Sequence, residues 1–156
     1  MSKIPSIGPY SADISVTFEG SPPFVGKVYV EGDGNHAVFD WPAQTNTGAT
    51  IELAEFRTQT KWVTNEKGCI KSKFSDPDPN FVGMVSHAGY ECVSSSQGEK
   101  VYSCNDVTCT YDCDSAGQEI IRSIAWGNAT VEFRNVKTAP QDPSLFKPPS
   151  DCTGSD

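Results

Sequence analysis

The side chains able to do chemistry in this chain are few, and six cysteines dominate them: Cys69, Cys92, Cys104, Cys109, Cys113 and Cys152. A thiol can bridge to another, bind a metal or attack a carbonyl, and spacing separates these uses. Structural zinc takes paired CxxC-like knuckles or histidines at fixed offsets. Here no CxxC occurs, and the two histidines, His36 and His87, lie away from the dense Cys104, Cys109 and Cys113 group. An even count in a short acidic chain reads instead as a disulfide framework, which persists in oxidising compartments. Spacing does not choose among the many pairings that six cysteines allow. If residues 108–114 form a strand, Cys109 and Cys113 share a face about 13 Å apart at roughly 3.3 Å per residue. That is beyond disulfide reach, so each takes its partner elsewhere.

Catalytic chemistry finds less support. Nucleophilic hydrolysis needs a serine or cysteine beside a histidine that a third group orients, and no GxSxG is present. His36 and His87 both read as solvent-facing loop residues. Chance carboxylate pairs are easy to find among twenty acids, and none has the context of a glycosidase pair. No glycine-rich phosphate cradle occurs. The acidic stretches Glu31 to Asn35 and Asp76 to Asn80 lack the alternating oxygen ligands of a calcium loop and read as turns. The expectation is a chain with no catalytic residue, no metal and no cofactor. Asn128-Ala129-Thr130 is an N-glycosylation sequon, and Gly127-Asn128 is also a hairpin turn sequence, so a turn is where a glycan would sit.

The elements that must position these residues follow from composition. The chain has 156 residues, with 13 glycines and 11 prolines that cut it into short runs, which suits strands and turns in one ordinary domain. A net charge of -8 and a pI near 4.7 argue against nucleic acid as a partner, because phosphate binding needs a basic face. No apolar run approaches the roughly 18 residues of a transmembrane helix. Residues 1–10 read as an N-terminal tail without the apolar core of a signal peptide, so an exported protein would have lost its leader.

Period-two alternation places Ala12, Ile14, Val16 and Phe18 on one face of a strand. Residues 24–31 put Phe24, Val28 and Val30 on one side, with Val25, Lys27 and Tyr29 on the other. Ala37, Phe39 and Trp41 complete a hairpin. Further strands are expected at 50–57, 58–64, 90–94, 100–104, 108–114, 119–126 and 129–136, and the pattern at 81–90 leaves room for a short helix. From Thr138 to Asp156 the chain reads as a proline-rich tail. Eight to ten short strands in this order predict a mainly β fold, a curved antiparallel sheet, a sandwich or a barrel, stapled by disulfides and carrying at most one or two short helices.

Several phrases resemble the ependymin and eukaryotic LolA-like secreted proteins. They are the run from Phe24 to Val30, Lys61-Trp62-Val63-Thr64 leading to Cys69, Val131-Glu132-Phe133-Arg134-Asn135-Val136, and Asp142-Pro143-Ser144-Leu145-Phe146-Lys147-Pro148-Pro149-Ser150-Asp151-Cys152. The resemblance implies a β half-barrel with a hydrophobic cavity and a lipid-like ligand. It also implies that Cys69 pairs with Cys152, leaving Cys92, Cys104, Cys109 and Cys113 to bridge in an unspecified pattern. On that analogy Val28, Val30, Phe39, Trp41, Trp62, Trp126 and Phe133 line the ligand pocket. The expected function is a secreted, non-enzymatic carrier in an extracellular or endolysosomal compartment. The alternative is an extracellular adhesive protein that self-associates through strand edges or tails.

Overall fold

A computed structural model describes residues 9–32, 35–43, 48–74, 91–96, 98–104, 106–113 and 119–154. His87 and the stretch 81–90, where the sequence leaves room for a short helix, lie outside these residues. Twelve strands form one sheet: β1 (Tyr10–Phe18), β2 (Phe24–Val30), β3 (His36–Trp41), β4 (Thr50–Glu55), β5 (Thr60–Asn65), β6 (Gly68–Lys73), β7 (Glu91–Ser96), β8 (Glu99–Cys104), β9 (Val107–Cys113), β10 (Glu119–Trp126), β11 (Ala129–Lys137) and β12 (Thr153–Gly154). Their order is β12-β6-β5-β4-β3-β2-β1-β11-β10-β9-β8-β7, antiparallel except where β12 joins β6. The sheet is open and curved, with only a 3-10 turn at Pro143–Phe146 besides the strands among the described residues. This is the predicted mainly β architecture. The two halves of a meander meet through β1 and β11, so the first strand lies in the middle of the sheet.

Among the described residues, three bulges bend the sheet. One extra residue stands in β11 opposite β1, one in β10 opposite β9, and one in β7 opposite β8. A bulge raises local twist and resets which face each side chain takes. Consequently Phe133 and Val136 both pack on the main core, as do Ile121 and Ile124, although each pair is spaced by three. Asn135 takes φ 53° at the β11 bulge, and its amide donates to Asp13 Oδ2 at 2.8 Å.

The two faces of the sheet carry separate clusters. On the inner face, Tyr10, Ala12, Ile14 and Val16 of β1 meet Val28, Val30, Phe39, Cys109, Tyr111, Ile124, Val131 and Phe133. Each is at most 7% exposed. The outer face buries Val38, Leu53 and Trp62 beneath Phe146, with Tyr29, Cys69 and Cys152 at its border. This second cluster exists because the C-terminal segment folds back over β3 to β6. Asp142 starts the 3-10 turn by accepting the Ser144 N–H at 3.0 Å, and that bond holds its carboxyl below the usual carboxylate range. Cys152 then bonds to Cys69, and β12 runs beside Ile70 and Lys71. The proline-rich tail is thus a strap over an apolar stripe.

The pairing that the resemblance implied, Cys69 with Cys152, is formed, with Cα atoms 4.5 Å apart. Two of the other cysteines depart from a framework of bridges. Cys92 and Cys113 are free thiols. Cys92 opposes Tyr102, which opposes Cys109, so two strand spacings, roughly 10 Å, separate the two cysteines and exceed disulfide reach. Cys113 faces Glu119 across the ladder. Cys109 is fully buried among apolar side chains, the setting of a small hydrophobe. Cys104 pairs in register with Val107, and its side chain lies outside the described set.

Candidate ligand-binding face

The inner face is where the sheet gathers its largest apolar surface. Phe24, Trp41 and Phe39 form its aromatic end: Phe24 and Trp41 stack with centroids 4.6 Å apart and planes 10° from parallel, and Phe39 lies 6.1 Å from Trp41 at 6°. The stack requires Gly26. A Cβ there would stand 2.4 Å from a Trp41 ring carbon and 2.7 Å from the Asp40 carbonyl oxygen. The indole therefore lies flat on the β2 backbone because that position has no side chain.

At the far wing the same face turns polar. The Tyr102 hydroxyl donates to Glu119 Oε1 at 2.9 Å, and Lys100 Nζ lies 3.4 Å from the same oxygen. Burial, and then the adjoining Glu119 carboxylate, push the Tyr102 phenol up to about 12. Tyr10 is 1% exposed, and its phenol is raised well above the usual value, first by burial and then by neighbouring Cys109. Both phenols are neutral donors at any physiological pH.

Six of the seven residues assigned to the pocket meet on this face. Val28, Val30, Phe39 and Phe133 are buried in the main cluster, and Trp41 and Trp126 pack half-buried against it. Trp62 does not join them. It pairs in register with Leu53, which pairs with Val38, and it lies on the outer face with Phe146 over it and Lys71 Nζ 5.9 Å from its ring centroid. β5 carries one large apolar side chain on each face, Trp62 and Val63, and only the distant tail decides which side Trp62 serves. Ile14, Tyr111 and Ile121 are core members absent from the sequence-derived set. Alternation alone places Ile14 with Val16, whereas the β10 bulge conceals Ile121 from a period-two reading.

The outer face holds a shallow groove of about 550 Å³ between β11, β1, β2 and β3, lined by Asp13, Ser15, Val25, Lys27, Asp40 and Arg134 among others. Arg134, Asp13, Lys27 and Asp40 follow one another in register across four strands. Charge alternates along this row, as on a solvated surface.

His36 differs from the loop residue expected. It opens β3, its side chain is 17% exposed, and both ring nitrogens meet carboxylates: Nδ1 to Glu31 Oε1 at 2.7 Å and Nε2 to Glu55 Oε2 at 2.9 Å. The Phe146 ring lies 6.1 Å from it. With an acceptor at each nitrogen, the arrangement fits the doubly protonated ring. Among the described residues no group of three His, Cys, Asp or Glu side chains is placed to hold a metal ion.

No family model matches the sequence, and no curated protein matches it. Solved structures do match the fold. An uncharacterized conserved protein from Thermus thermophilus aligns over 95% of this chain and 90% of its own, with TM-score 0.59 and 9% identity. A LolA superfamily protein from Nitrosomonas europaea aligns over 90% of each chain, with TM-score 0.51 and 9% identity. Likeness at this identity concerns the backbone alone, and neither match singles out the ependymins. The chain has a LolA-like fold: one open, curved antiparallel sheet with its main apolar cluster on one face.

Proposed function

We propose that this protein is a secreted, non-enzymatic carrier that holds a lipid-like or other hydrophobic ligand against the inner face of its sheet. The observation that carries the reading is the continuity of that face. Apolar side chains from β1, β2, β3, β9, β10 and β11 form one surface, edged by the half-buried rings of Phe24, Trp41 and Trp126. The cluster's own side chains are already out of water, so a ligand gains apolar area, about 25 cal/mol per Å², at the half-buried rings that edge it. The LolA-like backbone and the ependymin and LolA-like sequence phrases support the same ligand class by analogy. The Cys69–Cys152 bridge supports an oxidising compartment.

Native mass spectrometry of the purified protein, with organic extraction of what it carries, tests the reading. A bound or exchangeable amphiphile at near one-to-one ratio supports it. A chain that neither retains nor takes up an acyl probe overturns it.

The adhesive alternative rests on β7, which ends the order of described strands with all six residues exposed. The bulge beside Val93 and the charge of Glu91 work against edge pairing. Concentration-dependent sedimentation would favour self-association; a monomer throughout would dispose of it.

A further inference from the structure

We propose that the tip of the β1–β2 hairpin docks on the surface of a zwitterionic phospholipid bilayer, and that ligand enters at this end of the sheet. The second half rests on the carrier reading above; the docking itself does not.

The strands bring three chain segments to one end of the sheet. Val16 pairs with Phe24 at the last rung between β1 and β2, and Phe18 pairs with Ala129, which pairs with Trp126 across the β10–β11 turn. Trp41 joins them through its stack on Phe24. The Glu19 N–H donates to the Asn128 carbonyl at 3.0 Å, which ties the two turns together. Residues 17–26, 41–43 and 125–130 hold one charged side chain, Glu19, in nineteen positions, although 21% of the whole chain is charged.

The hairpin tip is apolar on both sides. Phe18 continues the inner-face alternation of Ile14 and Val16 yet is 44% exposed, and Val25 on the outer face is 51% exposed. Pro22 and Pro23 lie exposed between them. Single exposed apolar residues are ordinary, but four within eight residues at the end of one hairpin form a patch. A wedge apolar on both sides suits a medium that closes around it rather than a flat partner face.

The backbone of the tip favours the same medium. An unpaired N–H is costly where no water can accept it. The Ser21 N–H donates to the Phe18 carbonyl at 3.0 Å, closing a four-residue turn with Gly20 at φ 81°, a value that glycine tolerates. Asn128 takes the Glu19 N–H, and Pro22 and Pro23 have none. Four of the five residues between Phe18 and Phe24 thus bring no unpaired N–H to the interface. Tryptophan rings settle at the headgroup level of bilayers, and Trp41 and Trp126 stand half-buried at this end. The chain has a net charge of -8 and no cation in the three segments, so it has nothing to attract it to anionic lipid. Behind the tip lie Phe24, Trp41 and Phe39, the aromatic end of the inner cluster. An acyl chain leaving the bilayer meets those rings first.

Flotation of the full chain with phosphatidylcholine vesicles tests the docking. The wild type should rise with the vesicles, and added phosphatidylserine should not increase the bound share. Phe18→Ser and Val25→Ser should each lower the vesicle partition coefficient roughly three- to tenfold, the part of an apolar side chain's burial that exposures near one half leave to be gained. Val93→Ser, at a β7 position 57% exposed, should leave it unchanged. A wild type that does not float, one that floats only with phosphatidylserine, or an equal loss in Val93→Ser overturns the docking. If Phe18→Ser does not fold, Val25→Ser decides alone. Uptake of a fluorescent acyl probe tests the entry point. Val25→Ser should take the probe from phosphatidylcholine vesicles more slowly than the wild type by a similar factor, and from aqueous solution at the same rate. Equal rates from vesicles overturn entry at this end. A wild type that floats but takes up no probe from either source overturns the carrier reading and ligand entry with it, and supports the docking.

Discussion

Raising the pH from 6 to 8.5 should loosen the clasp that His36 makes between β2, β3 and β4. Burial of the ring by itself lowers the pKa of His36, but the hydrogen bonds and charges of Glu31 and Glu55 outweigh it and hold the pKa above the ordinary value. A group with a raised folded-state pKa contributes stability that is complete below its unfolded value, about 6.5. That contribution is lost as the pH climbs through the folded pKa. Glu55 acts with the opposite sign. Its pKa is lowered, first by the Thr58 hydroxyl and also by His36, so its share is lost as the pH falls through the folded value. The site is therefore firmest between the carboxylate and histidine titrations.

The magnitude follows from exposure. Side chains 17%, 30% and 23% exposed place two charge-assisted bonds near the upper end of surface pairs, about 1 kcal/mol each. In a chain of this size, losing about 2 kcal/mol lowers Tm by roughly 4–8 °C. Thermal melts followed by circular dichroism should show the wild type losing most of this between pH 6 and 8.5. His36→Gln should melt lower at pH 6 and converge with the wild type at pH 8.5. Parallel Tm profiles for the two proteins across this range would refute the reasoning.

Three further perturbations have expected outcomes. Opening the Cys69–Cys152 bridge, which joins residues 83 apart, removes a loop constraint worth about 4.5 kcal/mol by chain entropy; Cys69→Ser with Cys152→Ser should lower the urea midpoint accordingly, and an unchanged midpoint would mean that the strap holds by packing alone. Gly26→Ala drives a methyl into the Trp41 ring and the Asp40 carbonyl, so it should cost about 1–3 kcal/mol and alter the near-ultraviolet circular dichroism of the aromatic stack. Phe133→Ala, at a position 6% exposed, should cost about 3–5 kcal/mol in denaturant melts, whereas Val25→Ala on the outer face, 51% exposed, should stay within about 0.5 kcal/mol.

Much of the sheet was legible because its strands alternate cleanly. Ile14 and Val16 against Ser15, and Val28 and Val30 against Lys27 and Tyr29, announce their faces in the residue types. Three kinds of information were not local. Bulges shift the period without changing composition, which conceals Ile121 and Val136. β6 reads Gly-Cys-Ile-Lys-Ser-Lys, with Ile70 57% exposed, so no hydrophobic alternation marks it as a strand. The assignment of Trp62 to the outer face depends on chain that returns from far away in sequence, whereas His36 takes its carboxylates from Glu31 just before β3 and Glu55 in the next strand. The cysteines show the same division. The bridge to the tail was recoverable from a sequence resemblance, whereas the burial of Cys109 depends on registers across β8 to β10 that no spacing rule contains.

The three tryptophans provide the most direct test of a carrier with one ligand face. Trp41 and Trp126 border the inner cluster, and Trp62 lies on the outer face under the strap. Titration with a brominated fatty acid, a contact quencher, should extinguish the fluorescence of Trp41 and Trp126. Trp62→Phe should therefore retain saturable quenching, while the double variant Trp41→Phe, Trp126→Phe should lose it. Quenching that resides in Trp62, or no saturable quenching in the wild type, would contradict the assignment of the inner face as the ligand site.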